Sequence, residues 1–352
     1  MKKKIYKNKK ILISGATGSV GTALIKELIE NYEFRVIRAI SNDENGLFSL
    51  KSIIRKNLST YGDMKRKEKV RLLHGDVRNL RRCIEATRDI DIVIHAAAMK
   101  HVDICEYNPE ETKATNILGT KNMVKASIKN KVGKFIFIST DKAVKPSTLM
   151  GKSKLAAENI VIKANKKNSN KTFHVIRFGN VIGSRGSVLE VFNKQIKANL
   201  NLTLTHKGMT RFFMNLDVAA KKILKSIEIS RGGEIFAIQS MESFKIYDLA
   251  RALIKFHSKS KKIKSKISFI GVRKNEKLQE KLLSNHEAKN AIQTKDFFIS
   301  NHRFSIENNL NYYGGIKLVE KNLLVSSSIK SLNQKEIIKF LIKKNLLTKN
   351  FF

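Results

Sequence analysis

The chain has 352 residues, 42% hydrophobic and 28% charged, enough for a sizeable core in one large domain or two lobes. Its two cysteines, Cys83 and Cys105, form no metal-ligand or redox spacing and point to a reducing compartment. No apolar run approaches the roughly 20 residues that span a bilayer, and the short apolar run behind "MKKKIYKNKK" leads into a glycine motif rather than a signal-peptide core, so the chain reads as cytoplasmic. The net charge of +39 fits either a polyanionic partner or a lysine-rich solvated surface. The lysines are spread along the whole chain, and the denser runs at 2–10, 163–171 and 255–266 are not interleaved with the aromatics on which single strands stack. Nucleic acid is therefore not the expected partner, while peripheral contact with an anionic membrane stays open.

In chain order, "ILIS" (11–14), "FRVIRAI" (34–40), "VRLLH" (70–74), "IDIVIHAAA" (90–98), "KFIFIS" (134–139) and "FHVIRF" (173–178) read as strands. They are too uniformly apolar for a half-exposed sheet and look buried on both faces. Helix-length segments fill the gaps, a βαβ series that predicts an α/β fold with a Rossmann-like, doubly wound parallel sheet over 1–180. After about residue 180 the rhythm breaks into short mixed elements. We expect a smaller substrate-binding lobe over 181–300, above the carboxyl ends of the strands, with some segments returning to the first domain. A polar C-terminal extension over 301–352 carries one amphipathic stretch, "KEIIKFLIKK" (335–344), expected to be a packing helix.

"ILISGATGSVG" places Gly15, Gly18 and Gly21 between the first strand and a helix, with Thr17, Ser19 and Val20 completing the turn. In that context the spacing marks a dinucleotide site, because small residues let backbone approach a pyrophosphate and the helix N-terminus supplies N–H groups and positive dipole. The second strand ends at Ser41, followed by Asn42. With no carboxylate there to repel a 2′-phosphate, NADP is permitted and favoured over NAD; with no arginine at 42, nothing at that position grips one. Asp76, after the third strand, can accept a bond from an adenine amino group, and Ala96, Ala97 and Ala98 leave room for the cofactor backbone.

The fifth strand ends in Ser139, Thr140, Asp141 and Lys142, at the sheet edge where chemistry is expected. Lys154 lies on the next helix, with Met150 one turn earlier on the same face. A methionine cannot move a proton, so its presence in such a site needs a reason.

At these residues the chain resembles the extended short-chain dehydrogenase/reductases, and within them the UDP-N-acetylglucosamine 4,6-dehydratases of surface-glycan synthesis. "GATGSVG", "HGDVR", "HAAAMKHVDICEYNPEE", "TNILGT", "STDKAVKP", "RFGNVIGSRGSV" and "MTRFF" match in order over nearly the whole chain. Where the superfamily usually carries Tyr-x-x-x-Lys, this chain has Met-x-x-x-Lys, "MGKSK", as some dehydratase branches do. The resemblance implies a redox-neutral reaction: a catalytic, tightly bound NAD(P)+ takes hydride from sugar C4, the ketone acidifies C5–H, water leaves across C5–C6, and the hydride returns to C6.

By the same resemblance Lys142 is the C5 base and Asp141 the acid at the C6 oxygen. A lysine base acts as the free amine, which desolvation or the charge of Lys154 would favour. Lys154 holds the nicotinamide ribose, and Thr140 bonds at the C4 oxygen. Without the tyrosine, the C4 proton leaves through Asp141 or a water ordered by Thr140, and Met150 shapes the pocket. Val77, Lys100, Thr115, Asn116, Ser139 and Val181 join the cofactor set. Lys100, Asn180, Arg185 with the backbone of Gly186, Ser187 and Val188, Arg211, Arg273 and Glu276 form the substrate set. In "GVRKNEK", Lys274 and Asn275 replace the family's Pro-Gly, so the turn there is expected to differ. No metal is implied, and the family resemblance implies a homo-oligomer. Two other readings stay open: a nucleotide-sugar epimerase of the same fold, against which the adjacent Asp141-Lys142 argues, and a non-enzymatic nicotinamide-nucleotide- or RNA-binding protein.

Overall fold

The computed structural model describes residues 5–60, 69–168, 170–258, 264–301, 303–318 and 321–347. Parts of the lysine runs at 2–10, 163–171 and 255–266 lie outside them. Six strands come first: β1 (Lys10–Ser14), β2 (Val36–Ser41), β3 (Val70–His74), β4 (Ile92–His95), β5 (Lys134–Thr140) and β6 (Thr172–Phe178). Between them run helices α1 (Ser19–Asn31), α2 (Glu44–Thr60), α3 (Leu80–Thr87), α4 (Val102–Tyr107), α5 (Pro109–Lys113), a π-helical turn (Ala114–Leu118), α6 (Gly119–Lys129) and α7 (Leu149–Lys167). The second half contributes β7 (Asn180–Val181), α8 (Val188–Lys197), β8 (Leu202–Leu204), β9 (Thr210–Met214), α9 (Leu216–Ile229), β10 (Ile235–Ile238), β11 (Glu242–Lys245), α10 (Ile246–His257) and β12 (Ile267–Phe269). It ends with α11 (Asn285–Lys289), β13 (Ala291–Gln293), β14 (Phe297–Ser300), α12 (Ile306–Tyr313), β15 (Ile316–Lys317) and α13 (Gln334–Lys343).

Ten strands form one sheet in the order β15-β13-β14-β10-β6-β5-β4-β1-β2-β3. From β3 to β10 the pairing is parallel; β14, β13 and β15 extend it antiparallel. This is the doubly wound Rossmann arrangement, with its switch point between β1 and β4, where ligands bind in such sheets. Both faces are covered. One carries α1 and α9 over Ile11, Ile13, Ile37 and Ile94; the other carries α3, α6 and α7 over Leu12, Val93, Phe135 and Val175. Burying alternate residues on opposite faces explains the uniformly apolar strands. β3 departs from that expectation because it is an edge strand, and its residues are only partly buried or exposed.

Strand boundaries shift from the sequence reading by one residue at β1, β5 and β6 and by more at β2 and β4. β2 starts at Val36 rather than 34, since its partner strand begins at Lys10. β4 stops at His95, and Ala96 to Ala98 turn out of the sheet as Ala96 N–H donates to the Ser14 carbonyl at 3.2 Å.

A second core lies beyond the strand ends. Leu189, Phe192, Phe213, Phe244, Leu249 and Leu253 are packed there between α8, α10, the β11-β9-β7 sheet and the β12-β8 pair. The 335–344 stretch is α13, whose Ile337 and Leu341 are fully buried in this core. β10, β13, β14 and β15 join the large sheet while β11 and β12 stay with the second core, so the chain crosses repeatedly between the two cores.

Candidate active site

Side-chain caps close several helices: Asn79 on α3, Thr148 on α7, Asn215 on α9 and Asn333 on α13 each accept from a first-turn N–H. α1 is different. Its N-cap is Gly18, with no side-chain cap, so its first N–H groups face the β1/β4 crevice open to an anion. Gly15 has φ +66°, and a Cβ there would lie 2.7 Å from the Ala97 backbone, which only glycine allows. Open donors, bare backbone and the small residues Ala96, Ala97 and Ala98 make a cradle that fits a dinucleotide.

At its rim, Thr17 and Ser41 share a hydroxyl hydrogen bond of 2.8 Å. Asn42 is exposed and donates to Asp76 at 3.4 Å. Asp76 itself is held by Arg78, whose Nε and Nη2 donate at 2.9 and 2.7 Å. Burial pushes the Asp76 carboxyl up, but the Arg78 bonds outweigh it and hold it below the ordinary value. Arg78, in "HGDVR", escaped the sequence reading; it stands beside Asp76 near Asn42, paired with Asp76 and, at 2.5 Å, Glu111. Val77 is buried and its carbonyl accepts from Asn122 at 3.1 Å. Val181, on β7, is buried too, while Thr115 lies on the π-helical turn.

Beneath the cradle runs a buried polar chain that the sequence did not reveal. Ser14 Oγ and His95 Nδ1 are 2.6 Å apart, and His95 Nε2 and Thr120 Oγ1 are 3.0 Å apart. Burial, aided by the charge of Lys154, drops the His95 pKa to about 3, so its ring is neutral. Asn116 sits in the π-helical turn, a distortion often found at functional sites. Its amide takes Met99 N–H at 2.8 Å and donates to the Ser153 hydroxyl at 2.9 Å, which in turn donates to the Met150 carbonyl. Asn116 thus fastens the first turn of α7 to the loop after β4.

β5 ends in the Thr140-Asp141-Lys142 cluster. Asp141 is wholly buried; its Oδ1 accepts from Thr140 Oγ1 at 2.8 Å and from Lys142 Nζ at 2.9 Å, while Oδ2 has no hydrogen-bond partner. Lys142 Nζ also donates to Asn180 at 3.0 Å. Met150 is buried on α7. Gly151 lets that helix approach: a Cβ would come within 2.4 Å of the Lys142 carbonyl. Lys154 makes contacts separate from those of Lys142. Its Nζ donates to the Ile138 carbonyl at 2.5 Å and lies 4.1 Å over the Phe137 ring, and burial lowers its pKa to about 8. Ser139 turns inward and donates to Glu158 at 2.5 Å, joining a buried Arg177 that also grips Glu287.

The expected substrate residues divide in two. Arg185 lies on the cofactor side: its Nη2 donates to the Thr17 carbonyl and its backbone N–H to Ser19 Oγ at 3.1 Å, while Lys100 donates to the Arg185 carbonyl at 2.7 Å. Gly186, Ser187 and Val188 follow it into α8, whose N-cap Ser187 makes no side-chain cap bond. Arg211, Arg273 and Glu276 instead line a cavity of about 130 Å³ together with Lys142, Lys277 and Glu280. Arg211 is buried and its guanidinium donates to the carbonyls of Thr210, Lys277 and Leu278, with Glu276 at 3.9 Å. Asn275 adopts φ +64° in the altered Lys274-Asn275 turn, and Glu276 N–H closes back on the Arg273 carbonyl at 3.0 Å. No cluster of metal-ligating side chains occurs among the described residues.

This geometry has counterparts. Residues 11–302 match the family model of polysaccharide biosynthesis proteins. The chain belongs to that family. It is 40% identical over 343 residues to an uncharacterized membrane protein of Methanocaldococcus jannaschii, covering 96% of each. It is 40% identical over 297 residues to a protein of Campylobacter jejuni named UDP-N-acetylglucosamine 4,6-dehydratase (inverting), covering 84% of this chain and 83% of that one. A Rickettsia canadensis protein named UDP-glucose 4-epimerase is 36% identical over 99% of this chain and 98% of its own. Among solved structures, Pen from Bacillus thuringiensis superposes with a TM-score of 0.84 at 33% identity over 96% of this chain and 99% of that one. The fold is that of the extended short-chain dehydrogenase/reductases. Among the described residues, no helix is long and apolar enough to cross a membrane.

Proposed function

We propose that this chain is a nucleotide-sugar 4,6-dehydratase that converts UDP-N-acetylglucosamine to a UDP-4-keto-6-deoxy-N-acetylhexosamine for surface-glycan synthesis. The carrying observation is the Asp141–Lys142 couple, 2.9 Å apart at the end of β5. An elimination needs a free amine to take the C5 proton and a carboxylic acid to protonate the C6 hydroxyl. One proton moved across that contact turns ammonium and carboxylate into those two forms. Thr140 bonds the C4 oxygen, and its proton leaves through Asp141 or an ordered water. The count closes: the C4 hydroxyl proton and the C6 hydroxide leave as water.

A bound nicotinamide, NADP in preference to NAD, would supply reversible hydride chemistry between C4 and C6. Gly15, Thr17, Gly18, Ser19, Val20 and Gly21 would hold its pyrophosphate, and Lys154 its ribose. Arg211, Arg273 and Glu276 face the UDP portion of the substrate. Incubation with UDP-N-acetylglucosamine followed by NMR should give the keto-deoxy sugar with no net NAD(P)H. One reduced cofactor per product would make this an ordinary dehydrogenase instead.

The second reading, a 4-epimerase, is favoured by the Rickettsia relative's name. It predicts a C4 epimer with the C6 hydroxyl retained, which the same spectrum distinguishes. We further propose a cytoplasmic homo-oligomer; exposed Ile104, Tyr107 and Leu118 around α4 and the π-helical turn offer it an apolar face. Its charge of +39 supports peripheral attachment to anionic membranes, each surface lysine contributing about 1 kcal/mol. Flotation with anionic liposomes no greater than with neutral ones would dispose of that attachment.

A further inference from the structure

Two loops wall the crevice between β1 and β4: the glycine turn leading to Ser19, and the loop after β4 leading to His101. A third segment, 183–187 between β7 and α8, ties them together. On one wall, the Arg185 N–H donates to Ser19 Oγ at 3.1 Å and its Nη2 to the Thr17 carbonyl. On the other, Lys100 Nζ donates to the Arg185 carbonyl at 2.7 Å, and Gly186 lies so close to the His101 ring that a Cβ would come within 2.5 Å of it. Gly183 and Gly186 supply the left-handed backbone that this path needs, at φ +76° and +70°, and Gly186 N–H donates to Glu190 at 2.6 Å. Among the described residues, carbonyls alone accept from the Arg185 and Lys100 side chains, and neither cation pairs with a carboxylate. Burial and the Arg185 charge lower the Lys100 pKa against the pull of Glu190, the mark of two cations that repel. An anion set between them removes that repulsion, and a guanidinium anchored through one N–H keeps its others for phosphate oxygens.

We propose that residues 183–187 form a clasp over a nicotinamide dinucleotide: Arg185 and Lys100 neutralise its pyrophosphate, and the chain joining the two walls slows its release. A nucleotide sugar carries a diphosphate as well. The bonds to Thr17 and Ser19, in the turn shaped for a dinucleotide, favour the dinucleotide, while Arg211 and Arg273 line a separate cavity. A cofactor restored within each turnover gains nothing by leaving, and a clasp keeps it in place; that use rests on the dehydratase reading.

The test needs no turnover. Wild type and R185A are loaded with NADPH and chased with excess NADP+, and release is followed by the fluorescence of NADPH, in a chain without tryptophan. Release should be about tenfold to a hundredfold faster in R185A, the scale of one lost charge-assisted hydrogen bond. R185K keeps the charge without the fork and should fall between. G186A keeps Arg185 but puts a side chain at φ +70°, and should also speed release. Adenosine, which carries no phosphate, should bind wild type and R185A alike by calorimetry, and so should UDP. Release from R185A or G186A no faster than from wild type overturns the clasp. Adenosine binding weakened in R185A overturns it too, because the cradle itself is then disturbed. Weakened UDP binding with release unchanged assigns Arg185 to the substrate's diphosphate and overturns it as well. Arg185 is exposed, and equal urea midpoints check that its variants fold; if R185A does not, R185K and G186A decide. Should wild type form no keto sugar, the dehydratase reading fails, and the release kinetics still decide the clasp.

Discussion

At the end of β1 the surface offered to a ligand is backbone: Gly15, the open N-terminus of α1 and three alanines. At the end of β5 it is side chains, with Lys142 held on the buried Asp141, Asn180 from β7, Arg211 from β9, and Glu276 and Glu280 from a loop more than 130 residues further on. A backbone cradle depends on space and dihedral freedom, so a single added methyl disturbs it. A side-chain pocket depends on charge balance, so it is disturbed by removing one partner from a group. The two regions should therefore fail differently.

The largest effect is expected beneath the pocket. Arg177 is buried with Glu158 and Glu287 at 2.6 and 2.8 Å, and Ser139 at the end of β5 hangs from the same network. R177M strands the buried Glu158 carboxylate and leaves the partly buried Glu287 without its cation, and should lower stability by about 3–5 kcal/mol, read by urea unfolding. A loss under 1 kcal/mol would mean that the network relaxes to water.

Lys154 comes next. Its folded pKa, about 8 against an ordinary 10.5, means that the unfolded chain holds the extra proton between those values. Stability should then rise with pH from about 8 to 10.5, by roughly 3 kcal/mol. Measured against K154M, which lacks this group, wild type should gain across that window and be flat below it. A parallel pair of curves would show that Lys154 is better solvated than its burial indicates.

K142A and D141N should each cut turnover at least about a hundredfold, with dinucleotide binding intact by fluorescence. T140V should also lose heavily. Near wild-type turnover in K142A would remove it from the chemistry. At the cradle, G15A places a Cβ at φ +66° and 2.7 Å from Ala97. It should cost about 1–2 kcal/mol from conformation alone and weaken dinucleotide binding, while leaving the Asp141–Lys142 couple in place. Equal damage at both sites would erase the contrast between them.

The smallest effect is the most pointed. If the pocket is built around a proton route without a phenol, M150Y should bring no gain in turnover. A rise of about 10² or more, the scale of restored general-base catalysis, together with a harmless T140V, would show that Met150 is a lesion.

Much was readable in the chain itself. Six apolar runs alternating with helix-length segments force a parallel sheet covered on both faces, and β1 to β6 follow them in order. Three glycines between a strand and a helix, and Thr140-Asp141-Lys142 at a strand end, mark their sites because each is made by contiguous residues. Distance along the chain limited the rest. β10, β13, β14 and β15 are short and join the sheet from 235 onward, where no local rhythm announces it. Arg185 and Arg211 look alike in sequence, yet one closes over Thr17 and the other lies buried against Lys277 and Leu278. Lys142 was expected to be tuned by desolvation or by Lys154; packing turned Lys154 to Ile138 and Lys142 to Asp141 and Asn180.

Sequence alone therefore determined the fold class, the glycine turn and the side-by-side placement of Asp141 and Lys142, since hydrophobic period, backbone freedom and chain adjacency are local properties. Tertiary structure decided which charges meet: Glu280 by Lys277 in one cavity with Lys142, Arg78 on Asp76, Arg177 between two carboxylates. Those pairings depend on burial and on a few ångströms between segments far apart in the chain. Coulomb energies and desolvation change steeply over those distances, and no residue pattern records them.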